Sequence, residues 1–489
     1  MGISMHLALM SLAAGLAGNF QLGYLASVLT QPYIAIEQYI NSSWIERSGE
    51  PIERGTLSLL MSVLNIANPV AAIFGQMIAL SMCNRFGRKN TALIGCTFIF
   101  PGILMCLGAK QFYPYYELLF VGRLIWSVAV GILIVNQTVW LVETSPAQYR
   151  GTVSSMQEVF AALGGLVTQA LGVPFSNDDL WPLMFVFPLA INVLCVIMFL
   201  FVHDSPYYLL LHEDSMTSAK RAIAAYHGTR DEDIIGAQLK ACREEGASSA
   251  AITDEKKVNG MDIMFRPWKA NDNVSQVLFR GAWIGVMVKI AYLFTGTRCI
   301  RSFSTYVLDD MGQWSYLDAR YGSLAMSLLR VPITFIPVFL VDRIGRRPLL
   351  LGSAGTSVIF LAITMFSLSQ GEDYKIGTLL GVASLLTVNS IGLGSLARFY
   401  AAELVPRKLL LKAVTLLAII EAIFRIGLEF SFYPLAHTIG VQYFNVFLLP
   451  TLIFFFLIYW YCPETKGRSV NAVLNEMARQ KGVKVTFQT

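Results

Sequence analysis

Apolar side chains run through this chain in long blocks separated by short polar connections. A helix needs about 20 apolar residues to cross the hydrocarbon core of a bilayer. Blocks of that length fall at 7–33, 57–83, 91–109, 118–142, 154–173 and 181–202, then at 278–300, 320–341, 348–369, 377–400, 412–436 and 443–462. The pattern predicts an all-α membrane protein of twelve transmembrane helices in two six-helix bundles. The first bundle is expected over 1–202 and the second over 276–462, joined by a polar linker at 203–275 and followed by a tail at 463–489. Within the linker, 218–225 and 232–245 read as short helices and 246–251 as a flexible link.

The polar connections fix the sidedness. Asn84-Arg85-Phe86-Gly87-Arg88-Lys89 lies between the second and third blocks, and Asp342-Arg343-Ile344-Gly345-Arg346-Arg347 between the eighth and ninth. Each packs three basic side chains into six residues, with a glycine where a tight turn needs one. Arg150, Arg407, Lys408 and Lys412 fall on the same side, while Glu37, Glu46, Glu50, Glu53, Asp178, Asp179, Asp309, Asp310, Glu372 and Asp373 fall on the other. Basic connections stay in the cytosol, so both termini, the linker and the tail are expected there. The recurrence of the basic turn half a chain later predicts two similar halves, a plan common among transporters. Asn41-Ser42-Ser43 then lies in the first outside loop, where Asn41 is a candidate glycosylation site.

Composition narrows the class further. The 489 residues are 55% hydrophobic and only 14% charged, against roughly a quarter charged in soluble domains. The net charge of +5 is spread over loops, and no basic run points to nucleic acid. The seven cysteines lie mostly in apolar blocks without Cys-x-x-Cys spacing, so neither a disulfide framework nor a metal site is indicated. No nucleotide-binding glycine loop or nucleophile elbow is present, and no enzyme or cofactor is expected. The expected partners are a small-molecule substrate, hexose or organic anion, and membrane lipid, with the protein acting as a monomer.

Further motifs recur in a fixed order: Gln21-Leu22-Gly23-Tyr24, Gly122-Arg123, Glu143-Thr144-Ser145-Pro146 with Arg150, Leu180-Trp181-Pro182, Ala402-Glu403-Leu404 with Arg407, and Pro463-Glu464-Thr465-Lys466-Gly467-Arg468. Together with the two basic turns, this set resembles the sugar porter family of the major facilitator superfamily, and within it the animal facilitative glucose transporters. The resemblance implies a carrier working by alternating access, multi-pass and most naturally placed in the plasma membrane. Arginines at helix ends can pair with carboxylates of neighbouring helices. Arg85, Arg88, Glu143, Arg150, Arg343, Arg346, Glu403, Arg407 and Glu464 are accordingly the expected cytosolic gate. The family's Pro-Glu-Ser-Pro-Arg stretch reads His203-Asp204-Ser205-Pro206-Tyr207 here, so one cytosolic link is expected to be weaker. Proton-linked relatives carry an Asp after the first-helix Tyr; Leu25 stands there, which favours facilitated diffusion or exchange.

The departures gather in the second half. Gln157 and Gln169 stand where the family has sugar-facing glutamines. Aligned on Gly296, the family's Gln pair becomes Tyr292 and Leu293 and its Asn becomes Arg298, while Lys289 replaces a usual Gln. An Asn of the eighth helix becomes Arg330, and a Trp of the tenth becomes Arg398. A cation inside a membrane domain costs at least ~2.5–3.5 kcal/mol on insertion scales. Gln157, Gln169, Lys289, Tyr292, Arg298, Arg330 and Arg398 are therefore the candidate substrate-binding residues. Glu421, Arg425 and Glu429, spaced four apart, share one helical face and either neutralise one another or reach an arginine across the cavity. Three readings stay open: a basic site for an organic anion, neutral hexose transport, and a transporter-shaped sensor that no longer cycles.

Overall fold

The protein is described here by a computed structural model covering residues 4–145, 150–211, 215–240, 273–404, 407–466, 468 and 470–480. It is helical almost throughout, with no strand among the described residues. The chain separates into two compact units, Met1–Lys257 and Val258–Thr489.

In the first unit, the first crossing is a helix Met5–Gly15, a π-turn Leu16–Phe20 and a helix Gln21–Ser27. The apolar block there runs on to residue 33, but the backbone turns before Pro32, which disfavours helix at the residue preceding it. A separate helix, Tyr33–Ser48, follows. Arg54–Gly108 is one run of 55 residues, about 80 Å at 1.5 Å per residue, too long for one span. It is the second and third crossings, reversed at Gly87 (φ 80°, ψ 178°). The fourth is Glu117–Thr144, the fifth Arg150–Phe175, and the sixth a 3₁₀ turn Trp181–Phe185 leading into Val186–Leu200. Buried polar groups tie these together. The Tyr24 hydroxyl donates to Met184 O (2.6 Å) and Gln21 Nε2 to Pro188 O (2.9 Å), joining the first crossing to the sixth. Pro206–Leu211, Met216–His227 and a helical stretch at 232–240 follow; the expected link at 246–251 lies outside the described residues.

The second unit repeats the plan with more interruptions. The seventh crossing is Asn273–Phe294, broken at Thr295–Gly296 and continued by Thr297–Ser302. Gly296 has φ 71°, and a Cβ there would sit 2.7 Å from the Phe447 ring, so this break needs glycine. The eighth is Tyr316–Ile333 with Ile336–Ile344, the ninth Arg346–Gln370, and the tenth Lys375–Ile391 with Leu393–Glu403, bent at Gly392. The eleventh is Arg407–Ile439 and the twelfth Asn445–Tyr461. Seven stretches are long and apolar enough to span a bilayer unaided, and three of these are long enough to span twice. The interrupted first and eighth crossings complete the twelve. The tail holds a helix, Val470–Gln480, whose Val473, Leu474 and Met477 are buried in the same apolar cluster as Val277, Ile284 and Val288 of the seventh crossing.

Candidate functional site

The first basic turn is built around an acid. A Cβ at Gly87 would lie 2.3 Å from Asp204 Oδ2, so glycine lets that carboxylate reach the turn. The backbone N–H of Arg88 donates to Asp204 Oδ1 at 2.9 Å. The Arg88 guanidinium pairs with Glu143 at 2.6 Å and donates to Cys83 O at 3.1 Å, with the Tyr208 ring 5.5 Å away. Ser205 Oγ donates to the other oxygen of Glu143, and the Tyr208 hydroxyl to Arg85 O at 3.2 Å. Burial pushes the Asp204 carboxyl up, against the opposing N–H donors of Ser205, Arg88 and Lys89. The stretch 203–208, which sequence comparison marks as weakened, therefore makes its own dense contacts. His203 also stacks on His6 with ring centroids 4.9 Å apart. The Arg85 side chain stands apart from this network. Arg85 makes no ion pair among the described residues; it is exposed, with its guanidinium 5.4 Å from the Phe86 ring. It lies on the outer side of a turn whose inner side Arg88 already fills.

The second basic turn uses the same device in another form. Gly345 has φ 104°. Glu464, from beyond the twelfth crossing, accepts from the backbone N–H groups of Arg346 (2.9 Å), Arg347 (3.0 Å) and Lys466 (2.9 Å). Burial pushes its carboxyl up, but these donors and Thr465 N–H together hold it below the ordinary 4.5. Lys466 Nζ donates to Arg343 O at 2.7 Å, and Arg347 donates to Tyr459 O at 2.7 Å. Arg343 is exposed and Arg346 half-buried. The side chains of Arg150, Glu403 and Arg407 lie outside the described part of the structure.

Inside the first unit, the π-turn of the first crossing carries Asn19, which sequence reading passes over. Asn19 Nδ2 donates to Gln137 Oε1 at 2.7 Å and to Gln157 Oε1 at 3.4 Å. Thr138 Oγ1 lies 3.5 Å from the same oxygen of Gln157. Three amides and a hydroxyl from the first, fourth and fifth crossings thus meet, with Gln157 half-buried and Asn19 and Gln137 buried. The signal for Asn19 and Gln137 is their presence within apolar blocks. Gln169 is fully enclosed and accepts from Gln31 Nε2. Buried Arg123 donates to Leu64 O (3.2 Å) and Leu25 O (3.4 Å).

Inside the second unit, Lys289 Nζ pairs with Glu421 Oε2 at 2.7 Å, and Arg298 pairs with Glu421 Oε1. Lys289 and Arg298 lie on either side of the break at Gly296 and reach the same carboxylate. Arg298 also lies 5.1 Å over the Tyr292 ring. One turn on, Arg425 pairs with Glu429 at 2.6 Å. Both alternatives for the glutamates therefore hold: Glu429 is matched along its own helix, and Glu421 reaches another. Arg330 is buried and its Nε donates to Ser390 Oγ at 3.3 Å, linking the eighth and tenth crossings. The Arg398 side chain lies outside the described part. On the eleventh crossing, Ile423 (57% exposed) and Phe430 (38%) point opposite Glu421, whose side chain is 13% exposed. The charged face is the less exposed one, as expected of charges inside a membrane domain. Asn41 sits within the helix Tyr33–Ser48; its Oδ1 accepts from Ile52 N–H at 3.2 Å, and Ser43 of the sequon is buried.

Similarity to known proteins covers nearly the whole chain. The chain is 27% identical over 489 residues to the solute carrier family 2, facilitated glucose transporter member 1 of Gallus gallus, covering 98% of this chain and 95% of that one. It is 27% identical over 462 residues to member 3 of that family from Oryctolagus cuniculus, covering 92% and 88%. Among solved structures, a partially occluded inward-open conformation of the xylose transporter XylE from E. coli superposes with a TM-score of 0.73 at 16% identity, covering 94% of this chain and all of that one. XylE bound to 6-bromo-6-deoxy-D-glucose gives 0.73 at 18% identity over 96% of this chain and 99% of that one, and shows the same fold. The profile of the sugar (and other) transporter family matches residues 10–476, and this multi-pass membrane protein of the major facilitator fold belongs to that family.

Proposed function

We propose that this carrier moves a hexose-class solute by facilitated diffusion, as a monomer in the plasma membrane, with both termini and the 203–275 linker in the cytosol. The observation that carries the solute class is the amide cluster of Asn19, Gln137 and Gln157. Neutral amides offer both donors and acceptors, which suits the paired character of sugar hydroxyls. Relatives named as facilitated glucose transporters support the same class. Leu25 brings only a backbone carbonyl to Arg123. It therefore supplies no titratable group at the position that proton-linked relatives use. The basic turns, with Arg88, Glu143, Arg346 and Glu464 at their centres, serve as the cytosolic gate in this reading, and Asn41 remains the glycan acceptor.

One observation favours a second reading. Lys289 and Arg298 converge on a single carboxylate, an arrangement that suits an organic anion. Uptake into proteoliposomes of the purified protein, with labelled glucose and a panel of organic anions under an imposed membrane potential, separates the two. Electroneutral glucose uptake supports the first reading. Potential-sensitive anion uptake without glucose uptake replaces it with the second. Uptake of neither by folded protein favours a sensor.

A further inference from the structure

We propose that Glu421 is the resident occupant of a carboxylate-binding site formed by Lys289 and Arg298, and that a solute bearing a carboxylate takes its place. The inference rests on the second reading above, in which Lys289 and Arg298 serve an organic anion. The geometry is that of a receptor already filled. An ammonium and a guanidinium from either side of the Gly296 break each hold one oxygen of the same carboxylate, and the Tyr292 ring lies under the guanidinium. Neither cation depends on which molecule supplies the carboxylate, so a solute carboxylate meets the same partners in the same charge state. The two cations keep one carboxylate between them, and the displaced Glu421 adds a negative charge that a proton or solvent takes up.

The neighbouring pair behaves differently. Glu429 is matched by Arg425 on its own helix; its side chain is 3% exposed and that of Arg425 12%, so the carboxylate is the enclosed partner of this pair. In the other group all three side chains keep some exposure: 15% for Lys289, 17% for Arg298 and 13% for Glu421. Glu421 also joins the eleventh crossing to the seventh. A solute that displaces it would release that tie, which gives a charged solute a route to loosen the second unit on binding. Because Glu421 is tethered at the site, it competes at high effective concentration with any free carboxylate.

D-glucuronate and D-glucose differ in the group at one carbon and make the matched probes. Binding of each to the full-length protein in detergent is measured for the wild type, Glu421→Gln and Lys289→Gln. Removing the tethered competitor in Glu421→Gln should tighten glucuronate binding about tenfold, within the usual range of coupling between sites, with glucose binding changed less than about twofold. Lys289→Gln should weaken glucuronate binding about tenfold. Weaker glucuronate binding in Glu421→Gln, or parallel changes for both sugars, overturns the proposal. Should Glu421→Gln not fold, the double variant Lys289→Gln/Glu421→Gln removes one charge of each sign. It should bind glucuronate more tightly than Lys289→Gln alone, and equal binding overturns the proposal. Glucose uptake by wild-type proteoliposomes tests the carrier reading separately, since the binding comparison needs no transport.

Discussion

Arg88 and Glu143, 55 positions apart in sequence, meet at 2.6 Å at the basic end of the first unit, with side chains 4% and 14% exposed. Ser205 and Asp204 close the other sides of the same pair. Removing one member leaves a buried charge without its counter-ion, a change that costs about 3–5 kcal/mol in buried pairs. Arg88→Gln should therefore lower thermal stability and membrane yield strongly. Arg85→Gln, at the exposed position, should change stability by less than about 0.5 kcal/mol. Thermal unfolding of the two purified variants beside the wild type checks the contrast.

Glu464 gives the second unit a pH dependence of definite sign. Its folded carboxyl titrates below the ordinary 4.5, because the N–H donors around it outweigh its burial. Its stabilising contribution is complete above 4.5 and is lost as pH falls through the lower folded value. Wild-type thermal stability should therefore fall more steeply between pH 5 and the acid limit than that of Glu464→Gln. At neutral pH, Glu464→Ala should cost about 1–2 kcal/mol, as loss of a helix cap does.

Gly296→Ala places a side chain at φ 71° and against the Phe447 ring. A strained non-glycine residue there costs of order 1–3 kcal/mol. The larger effect should fall on Arg298, whose approach to Glu421 depends on that break. Loss of the distinction between charged and neutral sugars in binding assays is the expected readout.

Gln157→Ala should raise the KM for glucose about fivefold to tenfold, the worth of one net hydrogen bond of about 1–1.5 kcal/mol. Arg330→Gln should reduce anion uptake while leaving glucose uptake within about threefold. If Arg330→Gln impairs both equally, its bond to Ser390 is structural and the residue leaves the substrate set.

The lengths of the apolar blocks made twelve crossings legible, because crossing a bilayer is a local demand on composition. The paired basic turns were legible for a similar reason: sidedness is carried by charges in short connections. The breaks at Gly296 and Gly392 and the π-turn holding Asn19 were not, since each depends on what packs against it. Phe447, 151 positions after Gly296, is part of the reason that glycine is needed. The same limit applies to Glu421: its helical face was readable, but its partners depended on how two crossings meet. Asp204 shows the same limit: its place in the sequence does not reveal that it accepts from the N–H of Arg88, 116 positions away.

The contacts between Glu464 and the N–H groups of Arg346 and Arg347 span sequence separations of 118 and 117 residues. The ninth crossing begins at Arg346, so its starting N–H groups find their acceptor only after the twelfth has been made. During synthesis, three further membrane segments must therefore leave the ribosome before that helix start is satisfied. Until then the half-built unit carries a basic turn with open donors at the membrane surface. A chain cut short before Pro463 would keep its spans and lack the residue that closes the turn. Such a chain should be retained and degraded by the cell, where a cut after the tail helix should be tolerated.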